Sequence, residues 1–175
     1  MKKLALVAAV ALAAVVVVTV GSYASSGPST VRANLNGYQE NVSISTTGVG
    51  GFTATINDEE QFIEYELTYS GLEGGATLFA HIHFGAPDNN GGVSAFLCGG
   101  GDKPACPQVA GTITGEIDAA DVIGPSAQGI EPGEFAELVR AIRVGHAYAN
   151  VHTTRWPAGE IRGQIANEDQ REFTG

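Results

Sequence analysis

Hydrophobic and polar residues alternate in short runs along most of the chain, and Gly, Asn and Asp clusters separate the runs. This is the pattern of strands with one buried face. Phe52, Ala54 and Ile56 alternate with Thr53 and Thr55. After a turn at 57–60 the chain returns over 62–69, with Ile63, Tyr65, Leu67 and Tyr69 on one face and Glu64, Glu66 and Thr68 on the other. These two runs predict a hairpin. The same signals predict further strands over 31–38, 77–84, 93–98, 109–117, 146–153 and 160–166. One segment follows a helical period instead: Phe135, Leu138, Val139 and Ile142 recur at i, i+3, i+4 and i+7. Pro132 suits a first helical turn, Glu131 and Glu134 favour its positive end, and Gly145 can stop it, so a short helix is expected over about 132–144. The fold class that follows is mostly β, an antiparallel two-sheet Greek-key sandwich with one short helix.

The N-terminus has a different character. Lys2 and Lys3 precede an unbroken apolar run from Leu4 to Val20, and Ser22 and Ala24 put small side chains where a signal peptidase requires them. Residues 1–24 read as a secretory signal peptide, with an uncleaved membrane anchor as the competing reading. The expected layout is a signal peptide over 1–24, a short leader over 25–30, one β domain over 31–166 and a polar tail over 167–175. Loss of Lys2 and Lys3 takes the formal charge from −10 to −12. So acidic a chain, with no basic stripe, is a poor partner for nucleic acid or anionic lipid, and no membrane insertion is expected after cleavage. Cys98 and Cys106 flank a flexible Gly-rich loop. In an oxidising compartment such a pair reads as a disulfide.

Candidate chemistry concentrates on the histidines. In the run 78–84, His81 and His83 share one strand face, while Leu78, Ala80, Ile82 and Phe84 point to the other. In the run 146–152, His146, Tyr148, Asn150 and His152 share the face opposite the small apolar residues. In the last strand Glu160, Arg162 and Gln164 alternate against Ile161, Gly163 and Ile165. Each of these polar rows is expected outside the core. Were the three strands neighbours, His81, His83, His152, Glu160 and Arg162 would converge, and the imidazoles would suit copper or zinc. A hydrogen-bonded network without metal explains the same residues: the histidines cap loop carbonyls, and Glu160 pairs with Arg162. In either case Arg162 is expected to be partly buried against His81 or His152 and bonded to Glu160.

Several runs resemble the ordered motifs of the CHRD (chordin-type) family: Ala80-His81-Ile82-His83-Phe84-Gly85, Asn90-Gly91-Gly92-Val93, Tyr148-Ala149-Asn150-Val151-His152-Thr153 and Gly159-Glu160-Ile161-Arg162-Gly163-Gln164-Ile165. The opening Leu35-Asn36-Gly37-Tyr38-Gln39-Glu40 is similar to that family's start, although Asn41-Val42-Ser43 stands where a Val-Pro-rich step is usual. The resemblance implies a β-sandwich module with no activity general to the family. The His-x-His strand is also similar to one in copper–zinc superoxide dismutase. That enzyme needs a bridging histidine and more metal ligands than four histidines supply, so this likeness concerns fold alone.

No nucleophile elbow, phosphate-binding loop or His-Glu-x-x-His zinc motif is present. Asn41-Val42-Ser43 is a glycosylation sequon, and Trp156 reads as a loop residue packed at the domain edge. The expected role is a non-catalytic exported module without a cofactor, binding an extracytoplasmic protein, polysaccharide or matrix component. The alternative is a copper or zinc site on His81, His83 and His152.

Overall fold

Among the described residues, eight strands carry the alternation: β1 (Ser29–Asn36), β2 (Val49–Asn57), β3 (Phe62–Ser70), β4 (Thr77–Phe84), β5 (Gly92–Cys98), β6 (Gly111–Ile117), β7 (Ala147–Thr153) and β8 (Ile161–Gln164). One helix, α1 (Phe135–Arg143), lies between β6 and β7. This computed structural model describes residues 29–59 and 61–166. The signal peptide, most of the leader and the polar tail expected from the sequence lie outside the described residues. Ser29 and Thr30, assigned to the leader by sequence, already belong to β1.

All strand pairs are antiparallel and run as a single sheet in the order β5-β4-β7-β8-β1-β2-β3-β6. The sequence predicts two packed sheets. The structure joins the two halves through the Asn36–Arg162 pair of β1 with β8 and the Arg32–Ala166 bridge beside it. At the far edges the sheet nearly closes. The Tyr65 hydroxyl on β3 donates to the Leu97 carbonyl on β5 at 2.8 Å, and the Cys98–Cys106 disulfide, with Cα atoms 5.1 Å apart, pins the loop between β5 and β6.

Other element ends differ from the alternation for local reasons. β1 stops at Asn36 because the Asn36 side chain accepts the backbone N–H groups of Tyr38 and Gln39, capping a 3-10 turn over Gly37–Gln39. A Cβ on Gly37 would lie 2.3 Å from the Ile44 carbonyl oxygen, so only glycine admits this fold-back. The helix starts at Phe135 rather than Pro132, since Gly133 adopts a φ of 89° and interrupts any earlier turn. Its predicted face holds: Phe135, Leu138, Val139 and Ile142 are all buried.

The inner face of the sheet is the apolar core, with Val31, Leu35, Phe52, Ile56, Ile63, Leu67, Ile82, Leu97 and Ile161 nearly inaccessible. The opposite face behaves differently across β4, β7 and β8. Every residue of β7 is buried, on both faces. Three segments cover the outer one: the turn after β1, through Glu40 on Asn150; the β4–β5 loop, through Ala86 on Arg162 and Gly91 on Tyr148; and the β7–β8 loop, through Pro157 on His152. The polar rows expected on the surface therefore sit under a roof of loops.

Candidate metal centre

The β4–β7 register sets Phe79 opposite His152, His81 opposite Asn150 and His83 opposite Tyr148. His152 is thus diagonal to His81, close enough for side chains to meet across an antiparallel pair. The His81 Nδ1 atom lies 3.1 Å from His152 Nε2, and His83 Nε2 lies 3.4 Å from the same atom. One ring nitrogen from each of the three histidines falls in a set spanning 4.8 Å at most. Among the described residues no Cys, Asp or Glu joins this set.

The remaining ring nitrogens fix the protonation of two of the three. His83 Nδ1 is 3.0 Å from the Gly91 carbonyl oxygen, and His152 Nδ1 is 3.0 Å from the Pro157 carbonyl oxygen. A carbonyl only accepts, so both Nδ1 atoms carry the proton, and both Nε2 atoms present lone pairs. The rings are neutral as well. Burial, helped by His152 and His83, lowers the His81 pKa to about 3. Burial likewise lowers His83 to about 4, against the pull of the Gly91 carbonyl, and pushes His152 downward against that of Pro157. Neutral imidazole is the form that ligates metal. Nitrogens bound at zinc-like distances around one ion stand roughly 3.3–3.5 Å apart. The His83–His152 separation of 3.4 Å falls in that range, the His81–His152 separation of 3.1 Å lies just below it, and the three nitrogens together span up to 4.8 Å.

The family model for the CHRD domain matches residues 31–165. The chain belongs to the CHRD domain family. Searches of curated proteins and of solved structures returned no match.

In this CHRD domain an aromatic and polar shell holds the histidines. Phe79 stacks on His81 with centroids 5.6 Å apart, and Phe96 meets the same ring edge-on at 4.5 Å. Tyr148 lies parallel to His83 at 4.8 Å, and the Arg162 guanidinium carbon sits 3.6 Å from the Tyr148 centroid. Gly91 is held at both ends, its N–H donating to the Tyr148 hydroxyl at 3.1 Å and its carbonyl accepting from His83. A Cβ there would stand 1.7 Å from the Phe84 carbonyl oxygen, so this carbonyl support requires glycine. Shells of this kind orient metal-ligating histidines and set their tautomers.

Two sequence expectations are corrected. Glu160 and Arg162 are both buried but do not pair. Glu160 accepts the Thr46 hydroxyl at 2.7 Å and the backbone N–H groups of Glu73 and Gly74 at 2.7 and 3.0 Å. Arg162 donates to the Ala86 carbonyl at 3.1 Å and to Gln164 at 3.4 Å, and it packs on Tyr148 rather than on His81 or His152. Sharing a strand face put the two side by side, but covering loops from distant parts of the chain recruited each one separately. His146 is exposed at the end of the helix connection and takes no part in the cluster. Trp156 is half-buried under the Arg155 guanidinium, 4.7 Å from its centroid.

Glu40 is a member that strand alternation does not reveal. It lies beyond β1, accepts the Asn150 amide at 2.7 Å and has its pKa pushed up to about 7 by burial, with the Asn150 hydrogen bond and the Arg162 charge opposing. The available signal was its place as the last residue of the opening motif.

Proposed function

We propose that this CHRD domain is an exported module that holds one copper or zinc ion on His81, His83 and His152. One observation carries the reading: two neutral histidines whose Nδ1 protons are committed to backbone carbonyls turn their Nε2 lone pairs toward each other at 3.4 Å, with a third imidazole nitrogen 3.1 Å from one of them. A hydrogen from His81 satisfies one lone pair at a time. A cation satisfies three. Export is supported by the signal-peptide pattern at residues 1–24 and by the disulfide, a bond of oxidising compartments. No helix among the described residues is long and apolar enough to cross a membrane.

The test is a thermal melt of the mature domain, stripped with chelator and titrated with zinc or copper. A ligand at one hundred times its dissociation constant stabilises the native state by about 2.7 kcal/mol. That corresponds to a rise in Tm of roughly 10 °C for a domain of this size. A Tm that micromolar metal leaves unchanged would remove the reading.

The turn after β1 favours a second role, contact with an extracytoplasmic protein or polysaccharide. Tyr38 and Val42 are 71% and 79% exposed within five residues of each other. Replacing both with Ser abolishes the capture of any such partner from the extracytoplasmic fraction if this turn is the contact, and leaves metal binding intact.

A further inference from the structure

We propose that the three-histidine centre selects a monovalent cation, cuprous copper, over the divalent ions of similar size. The inference rests on the metal reading above and concerns which ion the site prefers. Three observations carry it.

The first is the donor set. All three ligands are uncharged imidazoles, and among the described residues no carboxylate or thiolate joins them. Neutral ligands leave the double charge of a divalent ion uncompensated, and an uncompensated charge is costly to bury. The second is the surroundings. His81, His83 and His152 are 5–7% exposed, and Phe79, Phe96 and Tyr148 pack against their rings, so water does little to screen a charge placed among them.

The third is a fixed cation. Arg162 is 2% exposed, lies over the same Tyr148 ring that stacks on His83, and has an Nη1 atom without a hydrogen-bond partner among the described residues. Two carboxylates lie near Arg162, and neither cancels it at the histidines. Glu160 is turned toward Thr46, Glu73 and Gly74, whose donors hold it, and Glu40, bonded to Asn150, is pushed toward its neutral form by burial. Each added unit of metal charge must therefore be placed in a poorly screened pocket beside a positive guanidinium. At the distances across one stacked ring, and with an effective dielectric constant of about 20, the second unit of charge weakens binding by about tenfold.

The experiment uses the mature domain at pH 6 and compares silver(I), as an air-stable monovalent probe, and copper(I), held by a competing chelator, with zinc(II). Three proteins are titrated: wild type, Arg162→Met and Arg162→Lys. The expected result has two parts. Wild type binds one equivalent of silver(I) or copper(I) at least a hundredfold more tightly than zinc(II). Arg162→Met strengthens zinc(II) relative to silver(I) by about tenfold, whereas Arg162→Lys, which keeps the charge, leaves the ratio within threefold of wild type. A purely structural role for Arg162 moves both metals equally and leaves the ratio unchanged. Wild-type affinity for zinc(II) equal to or above that for silver(I) overturns the inference while the metal site stands. The same holds if Arg162→Met folds and leaves the ratio unaltered. Failure to bind any of the three ions overturns the metal reading itself.

Discussion

His83 and His152 face each other through their Nε2 atoms at 3.4 Å, and each spends its Nδ1 proton on a backbone carbonyl of a covering loop, Gly91 for His83 and Pro157 for His152. Two acceptor nitrogens so placed repel unless a positive centre or a shared donor lies between them. The loops therefore determine the chemistry of the strands beneath them: they select the tautomer that leaves both Nε2 atoms unprotonated, as acceptors.

Gly91 couples this support to the fold. Gly91→Ala places a methyl 1.7 Å from the Phe84 carbonyl oxygen, so the loop must shift. Chemical denaturation should show a loss of about 2–3 kcal/mol. Metal affinity should fall at least tenfold, since the His83 carbonyl partner moves with the loop. An affinity equal to wild type would mean that the Gly91 carbonyl does not orient His83.

Glu160 and Arg162 serve different networks, and their substitutions should add. Glu160→Ala strips a buried acceptor from three donors, and Arg162→Ala removes a buried cation from Tyr148 and Ala86. Each should cost about 2–4 kcal/mol. The double variant should match the sum of the singles within about 0.5 kcal/mol. A coupling energy above ~1.5 kcal/mol would restore the direct pair that the sequence suggested.

The distance between that expectation and the structure shows what a sequence pattern can carry. Alternation is a property of the extended backbone, so it correctly put His81 with His83 and His152 with Tyr148 and Asn150. It said nothing of what lies above a face. The covering turns at Gly37–Gln39, Ala86–Gly91 and Pro157–Gly159 have no period, and their contacts span up to 110 positions in the chain, as in Asn150 with Glu40. The polar rows were therefore read as surface. The two-sheet expectation met a similar limit, because one junction, Asn36 with Arg162 and Arg32 with Ala166, decides whether the two halves are one sheet. The disulfide needed no such information, since its two ends are only eight residues apart.

Reducing Cys98–Cys106 should lower stability without unfolding the domain. Closing so short a loop stabilises by about 2–3 kcal/mol. Thiol labelling of the denatured, unreduced protein should find no free sulfhydryl, and the reduced domain should still melt cooperatively. Two labelled cysteines, or a reduced form with no transition, would contradict this.

Glu40 predicts a pH dependence of defined sign. Its pKa is raised from 4.5 to about 7 by burial, opposed by Asn150 and Arg162, with Tyr148 the other titratable group it influences. A carboxyl with a raised folded pKa favours the native state fully below its ordinary value. That contribution is lost as pH rises through about 7. Glu40→Gln keeps the neutral form at every pH, so its stability relative to wild type should increase by about 1–2 kcal/mol between pH 4.5 and 8, a range already discounted for partial solvent screening. A difference that stays flat across this range would place the carboxyl in water.

The most direct measurement of the metal centre is an equilibrium titration of copper or zinc into the chelator-stripped mature domain, with bound metal counted per chain by elemental analysis, repeated for His81→Ala, His83→Ala and His152→Ala. Convergence of the three imidazoles on one ion predicts a single equivalent bound by wild type. It also predicts at least a hundredfold loss of affinity in each variant, largest for His152, whose Nε2 is the atom near both others. The contrary result is a wild-type protein that takes up less than a tenth of an equivalent, or single variants that bind as wild type does. Either outcome would leave the cluster as a hydrogen-bonded support for the loops above it.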